Sequence, residues 1–143
     1  MLKGIDPLIG PDLLRVLAQM GHGDEIVISD ANFPSVSVAS RTVHGKALRM
    51  DCDVACALRA VLSLLPIDTF QPEPVTTMQV VDDPQAVPDV LRECAPILTS
   101  AGIAFTAIER FAFYERASRA FAVLRTAEIR PYGNFILRKG IIV

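Results

Sequence analysis

The sequence predicts an α/β fold: one three-layer domain, residues 1–143, with a central mostly parallel or mixed sheet flanked by helices. Three observations predict it. Stretches with apolar residues at helical spacing alternate along the chain with short apolar runs of strand length. The run Ile26-Val27-Ile28 has no polar break, as in a strand covered on both faces. A chain of 143 residues is one domain on size grounds and can bury a proper core without staples.

Gly10-Pro11-Asp12 opens the first helix, because proline suits the first helical position and aspartate complements the positive helix end. Leu13, Val16, Leu17 and Met20 follow as one apolar stripe. Gly21 is expected to close that helix in the left-handed conformation, so that His22 leaves it. Residues 25–30 read as a buried strand, 31–34 as a turn and 35–40 as a weaker strand or extended segment. A turn at 43–46 leads to a short strand at 47–52. Asp53 caps a helix that runs through Leu65 and stops at Pro66.

Residues 68–74 hold two prolines and form a loop, and 75–81 a strand. Asp82-Asp83-Pro84 is expected to open a helical region that continues past Pro88 and ends by Gly102. Its inward residues are Val90, Leu91, Cys94, Ile97 and Leu98, and Pro96 makes it imperfect. A strand at 103–108 precedes a helix at 109–120, where Phe111, Tyr114, Ala117 and Phe121 repeat at three to four. Residues 122–126 and 135–137 are the last strands, joined through a turn at 131–134.

Hydrophobic residues make up 51% of the chain, and the mean hydropathy of +0.38 is high for a small soluble monomer. Surplus apolar surface in a short chain goes into subunit contacts, so an oligomer is expected. The net charge of −2 comes from 14 basic and 16 acidic residues mixed along the chain. No basic run points to nucleic acid and no acidic tail to a disordered binding segment. The first residues lack the apolar core of a signal peptide, and residues 54–67 are too short and too interrupted to span a bilayer, so the expected location is cytoplasmic. Cys52, Cys56 and Cys94 are an odd set with no second pair at zinc spacing, and read as ordinary buried cysteines outside any disulfide or metal site.

His22 lies between two glycines, on backbone free to bend, and histidine is the side chain whose ordinary pKa lies near neutrality. The plainer alternative is a loop histidine bonded to backbone. Asp30 ends the first strand, where open α/β sheets place ligands. Its plainer alternative is a turn aspartate tying its own loop at Asn32. Arg110 opens a run of aromatics and arginines, and a planar guanidinium can take two neighbouring oxygens of a polyol. The alternative there is a core stripe with solvated arginines. Tyr132-Gly133-Asn134 offers donors and acceptors in both directions, which suits a neutral polyhydroxyl ligand, and is also an ordinary turn. No phosphate-binding glycine loop, histidine pair at metal spacing or nucleophile elbow occurs. The expectation is a site for proton transfer on a neutral polar molecule, with no metal and no cofactor.

Three blocks in order carry a resemblance. They are Gly21-His22-Gly23-Asp24-Glu25 through Asp30-Ala31-Asn32-Phe33-Pro34, then Arg110-Phe111-Ala112-Phe113-Tyr114-Glu115-Arg116-Ala117, then Tyr132-Gly133-Asn134. Together they resemble the D-ribose pyranase / L-fucose mutarotase family over nearly the full chain, with a looser match across residues 67–102. The resemblance implies a proton-donating role for His22, and sugar binding by Asp30, Arg110, Tyr132, Gly133 and Asn134. It implies cofactor-free interconversion of the α and β anomers of L-fucose, and a homodecamer with sites where subunits meet. D-ribose pyranase activity, or non-catalytic monosaccharide binding on the same fold, are the alternatives.

Overall fold

The structure is a computed structural model that describes residues Met1–Val143. Eleven elements follow in the order α1 (Pro11–Gln19), β1 (Glu25–Ser29), α2 (Ser35–Ala39), β2 (Ala47–Arg49), α3 (Val54–Leu62), β3 (Val75–Met78), α4 (Asp89–Ser100), β4 (Phe105–Ile108), α5 (Arg110–Ser118), β5 (Ala122–Arg125) and β6 (Phe135–Arg138). The six strands form one sheet in the order β2-β5-β1-β6-β3-β4. β5 is parallel to both β1 and β2, and β3 is parallel to β4. β6 lies between these two groups and runs antiparallel to β1 and β3, so the sheet is mixed.

The central strands are apolar on both faces because each face meets helices. Ile26 and Ile28 of β1 join the larger core with residues of α1, α3 and α4, whereas Val27 joins a smaller core with residues of α2 and α5. The same alternation divides Ala122 and Leu124 from Val123, and Phe135 and Leu137 from Ile136. That period of two between two helical layers is the three-layer architecture expected from the sequence.

Four local expectations are corrected. Residues 35–39 form α2 rather than a strand. Alternating Ser and Val imitates a strand period, but Val38 and Ala39 turn to the core while Val36 is 75% exposed. Ser37 and Ser40 hydroxyls bond back to the carbonyls of Pro34 and Ser37, which a helical turn allows. The segment before α4 is not helical, since the helix starts at Asp89 after Pro88. Asp82 has a left-handed φ of 62°, and prolines 84 and 88 each disfavour helix in the residue before them. Pro96 is tolerated on the exposed side of α4. In α5 the inward residues are Phe113 and Ala117, and Phe111 is 65% exposed.

The fourth correction concerns the turn before β1. Met20 ends α1 in extended conformation, and the left-handed residue is Gly23, with φ 85°, not Gly21. The Lys139 ammonium supplies the cap, donating to the carbonyls of Leu17 (2.9 Å) and Met20 (2.5 Å). Backbone bonds from Gly23 N–H to the Lys139 carbonyl and from Lys139 N–H to the Asp24 carbonyl hold the His22 turn against the end of β6.

The next residue tests how tight that corner is. A Cβ on Gly140 would lie 2.6 Å from the Ile67 carbonyl oxygen and 2.8 Å from Asp68 Cα, both backbone atoms. Gly140→Ala is therefore expected to cost about 1–3 kcal/mol of unfolding free energy by overpacking, measured by urea denaturation. A midpoint equal to that of the unsubstituted protein would contradict this packing.

Candidate functional site

The carboxyl end of β1 is where polar groups converge. Asp30 follows the last β1 residue and is buried. Its Oδ1 accepts the N–H groups of Asn32 and Phe33, both at 2.9 Å, which is the turn-tying role considered as the plainer alternative. Its Oδ2 accepts Gly133 N–H at 3.2 Å and Asn134 Nδ2 at 3.1 Å. Asn134 Oδ1 in return accepts the Asp30 N–H at 3.1 Å. One carboxylate thus joins the end of β1 to the turn that leads into β6. Burial pushes its pKa up from the ordinary value, while these four hydrogen bonds pull it down, leaving it raised.

The turn itself is held in a costly shape. Tyr132 has φ 67°, a conformation that disfavours side chains other than glycine. Its hydroxyl accepts the Val81 N–H at 3.1 Å, tying the turn to the segment after β3. Gly133 is closely packed: a Cβ would lie 3.1 Å from Glu128 Cγ and 3.4 Å from both Asp30 Cβ and Val90 Cγ2, so a side chain there would need Glu128 to give by a few tenths of an ångström. Glu128 is buried and braces this turn from behind. Its carboxylate accepts Arg130 Nε and Nη2, both at 2.9 Å, and its carbonyl accepts the Ala31 N–H at 2.8 Å. Arg130 also reaches Glu93 at 2.7 Å.

Arg110 is the first residue of α5, whose N-cap Glu109 accepts the N–H groups of Phe111 and Ala112. The Arg110 guanidinium stacks over the Phe111 ring at 4.8 Å. Its Nε is buried with no hydrogen-bond partner, a group that folding alone leaves costly. Asp30, Arg110, Tyr132 and Asn134 line one cavity of about 160 Å³, together with Phe33, Met78, Tyr114 and Pro131. Ligand pockets usually hold ~300 Å³ or more, so this cavity is small for one. A larger cavity of about 540 Å³ is lined by residues such as Leu62, Ile67, Asp68 and Ile103. The smaller one is the better candidate, because it gathers six polar side chains, Asn32 among them, one of which leaves a guanidinium nitrogen unpartnered.

His22 is elsewhere. It precedes β1, Asp30 follows it, and five extended residues at about 3.3 Å each put the two ends roughly 16 Å apart. The structure therefore brings Asp30, Arg110, Tyr132, Gly133 and Asn134 together within one chain and leaves His22 at the opposite edge. Its side chain is 45% exposed, with Nε2 3.4 Å from Asp68 Oδ1 and its ring 5.5 Å from that of Phe70.

Asp68 is the contact of His22 that sequence reasoning missed. Its side chain is 1% exposed, with Oδ1 accepting Phe70 N–H at 3.0 Å and Oδ2 accepting Arg138 Nε at 2.9 Å. The Phe70 hydrogen bond, with the Arg138 and His22 interactions, holds this carboxyl below the usual range. Arg138 lies 3.8 Å from Glu25, which accepts a bidentate pair from Arg116 at 2.6 and 3.1 Å. Asp68 sits 46 residues beyond His22 in a proline-containing loop, so no local spacing connects them.

The brace behind the turn has a pH signature. The Arg130 hydrogen bond, chiefly, pulls Glu128 down to about 2 from its ordinary 4.5. A depressed carboxylate stabilises the fold at neutral pH, and that contribution is lost as pH falls from 4.5 to about 2. Glu128→Gln is expected to be less stable than the unsubstituted protein at pH 7, with the gap closing across that acid window. Urea unfolding of both proteins at several pH values checks it, and a gap independent of pH would contradict the assignment.

Known proteins share both the sequence and the shape. The profile of the RbsD / FucU transport protein family matches residues 3–142. Fucose mutarotase of Homo sapiens is 45% identical over 147 aligned residues, covering 99% of this chain and 94% of that protein. The crystal structure of the fucose mutarotase of Streptococcus pneumoniae in complex with L-fucose superposes with a TM-score of 0.89 at 37% identity, covering 99% of this chain and 100% of that one. Bacillus subtilis RbsD complexed with D-ribose has a TM-score of 0.74 over the whole of both chains at 21% identity, a likeness of fold alone. With its sequence matched from end to end and its mixed sheet shared, the chain belongs to the RbsD / FucU family.

Proposed function

We propose that this protein is a cofactor-independent isomerase that interconverts the α and β anomers of L-fucose by acid–base catalysed ring opening and closure. The observation that carries the proposal is the cavity at the end of β1, where an unpartnered Arg110 Nε meets Tyr132, Asn134 and the Asp30 carboxylate. Such a wall binds a neutral polyhydroxyl ligand through paired donors and acceptors. Full-length similarity to fucose mutarotases makes L-fucose the sugar.

In this reading His22 is the proton donor. It protonates the ring oxygen as the C1–O5 bond breaks, while the anomeric hydroxyl passes its proton to solvent water and becomes the aldehyde oxygen. Rotation about C1–C2 presents the other carbonyl face, and the reverse proton transfers close the opposite anomer. Asp68 holds the imidazole from behind, and Arg138 holds Asp68. Asp30 mounts the Tyr132-Gly133-Asn134 turn, which grips the hydroxyls together with Arg110. The two half-sites of one chain stand at opposite ends of β1, so His22 serves the cavity of another copy. Exposed Phe70 beside His22 and exposed Phe111 beside Arg110 are apolar surface for that contact. A cytoplasmic homodecamer is the assembly proposed. The free thiols of Cys52, Cys56 and Cys94 suit a reducing compartment.

Saturation-transfer NMR between anomers tests the reaction. His22→Ala is expected to lower L-fucose anomer exchange by about 10²- to 10⁴-fold while sugar binding persists. Exchange at the unsubstituted rate would remove His22 from the mechanism. Pyranose–furanose exchange of D-ribose with none for L-fucose would make D-ribose pyranase the correct reading.

A further inference from the structure

The cavity is chemically two-sided. Asp30, Arg110, Tyr132 and Asn134 supply its polar part, while Phe33 and Met78 supply an apolar floor. Phe33 and Met78 are 6% and 5% exposed and belong to the smaller core cluster, so the floor is where that core reaches the surface. Edge-on contacts fix it: the Phe33 ring centroid lies 6.0 Å from that of Phe113 and 5.5 Å from that of Tyr114. A fully hydroxylated sugar has only its ring C–H faces to place on such a floor, and no apolar substituent. L-Fucose has one, because carbon 6 is a methyl group.

We propose that Phe33 and Met78, with the Tyr114 ring beside them, are specificity-determining residues that receive the C6 methyl group and select 6-deoxy sugars. The assignment rests on the anomer-exchange function proposed above and adds to it the basis of substrate choice. Burying a methyl group there favours the sugar that has one. A hydroxymethyl group in its place would bury an oxygen against the Phe33 ring and the Met78 thioether, neither of which can donate a hydrogen bond.

Three sugars isolate the position. D-Arabinopyranose has the configuration of L-fucopyranose with hydrogen in place of the methyl group, and L-galactopyranose has CH₂OH there. Saturation-transfer NMR at subsaturating sugar gives a relative kcat/KM for each. Discrimination by an apolar pocket against one missing carbon or one added hydroxyl is about tenfold to a hundredfold. L-Fucose should therefore exceed both other sugars by that factor. In Met78→Gln, which keeps the chain length and adds an amide, the L-fucose to L-galactose ratio should fall several-fold, with the fold checked by circular dichroism. Equal exchange of L-galactose and L-fucose by the unsubstituted protein would overturn the floor's assignment and leave the mutarotase reading standing. No exchange with any of the three would overturn both.

Discussion

The buried Asp30 carboxylate is the joint on which the candidate site hangs. Its two oxygens take four N–H donors, two from the turn after β1 and two from the turn before β6. Those turns lie about a hundred residues apart in sequence, and the Asp30 N–H adds a further bond to Asn134 Oδ1 between them. A carboxylate in that place is stable only because every acceptor site is met. Remove it and four donors lose their partner, with Tyr132 left in a left-handed conformation that only its surroundings sustain. The same joint explains the glycine at 133, since Glu128 and Asp30 close on it from two sides.

The second constraint is the length of β1. A five-residue strand puts its ends too far apart for His22 and Asp30 to touch one molecule of sugar. Each end is nevertheless built with care. The amino end has a chain of ion pairs running from Arg116 through Glu25, Arg138 and Asp68 to His22. The carboxyl end has the cavity and the unpartnered Arg110 Nε. The proposed shared site rests on this separation: with His22 at one end of β1 and the cavity at the other, the two can serve one sugar only across a contact between copies.

Much of this was legible in the sequence. The fold class followed from strands that are apolar on both faces, such as Ile26-Val27-Ile28, alternating with helical stripes such as Leu13, Val16 and Leu17. Residue chemistry alone leaves Asp30, Arg110 and the Tyr132-Gly133-Asn134 turn each with a plainer reading, and it is the resemblance that groups them; in the structure Asp30, Arg110, Tyr132 and Asn134 line one cavity, and Gly133 bonds Asp30 beside it. What was not legible depended on tertiary partners. Residues 35–39 have a strand's period, and only packing of Val38 and Ala39 makes them a helix. Gly21 was a reasonable helix stop, yet Lys139 from the far end of the chain provides the cap and moves the left-handed residue to Gly23. Asp68 could not be tied to His22 because their pairing crosses 46 residues and a proline-containing loop. The separation of His22 from Asp30 was visible in principle, since a strand between two residues drives them apart.

The central claim is that one copy supplies the proton donor and another the sugar-binding wall. Mixing two inactive variants tests it most directly. His22→Ala chains keep the wall and lack the donor, and Arg110→Ala chains keep the donor and lack part of the wall. After the two are unfolded and refolded together, some contacts pair an intact His22 with an intact Arg110. The account predicts that L-fucose anomer exchange returns in the mixture and not in either variant refolded alone. A mixture as inactive as its components, with mixed assemblies demonstrated by mass spectrometry, would contradict it.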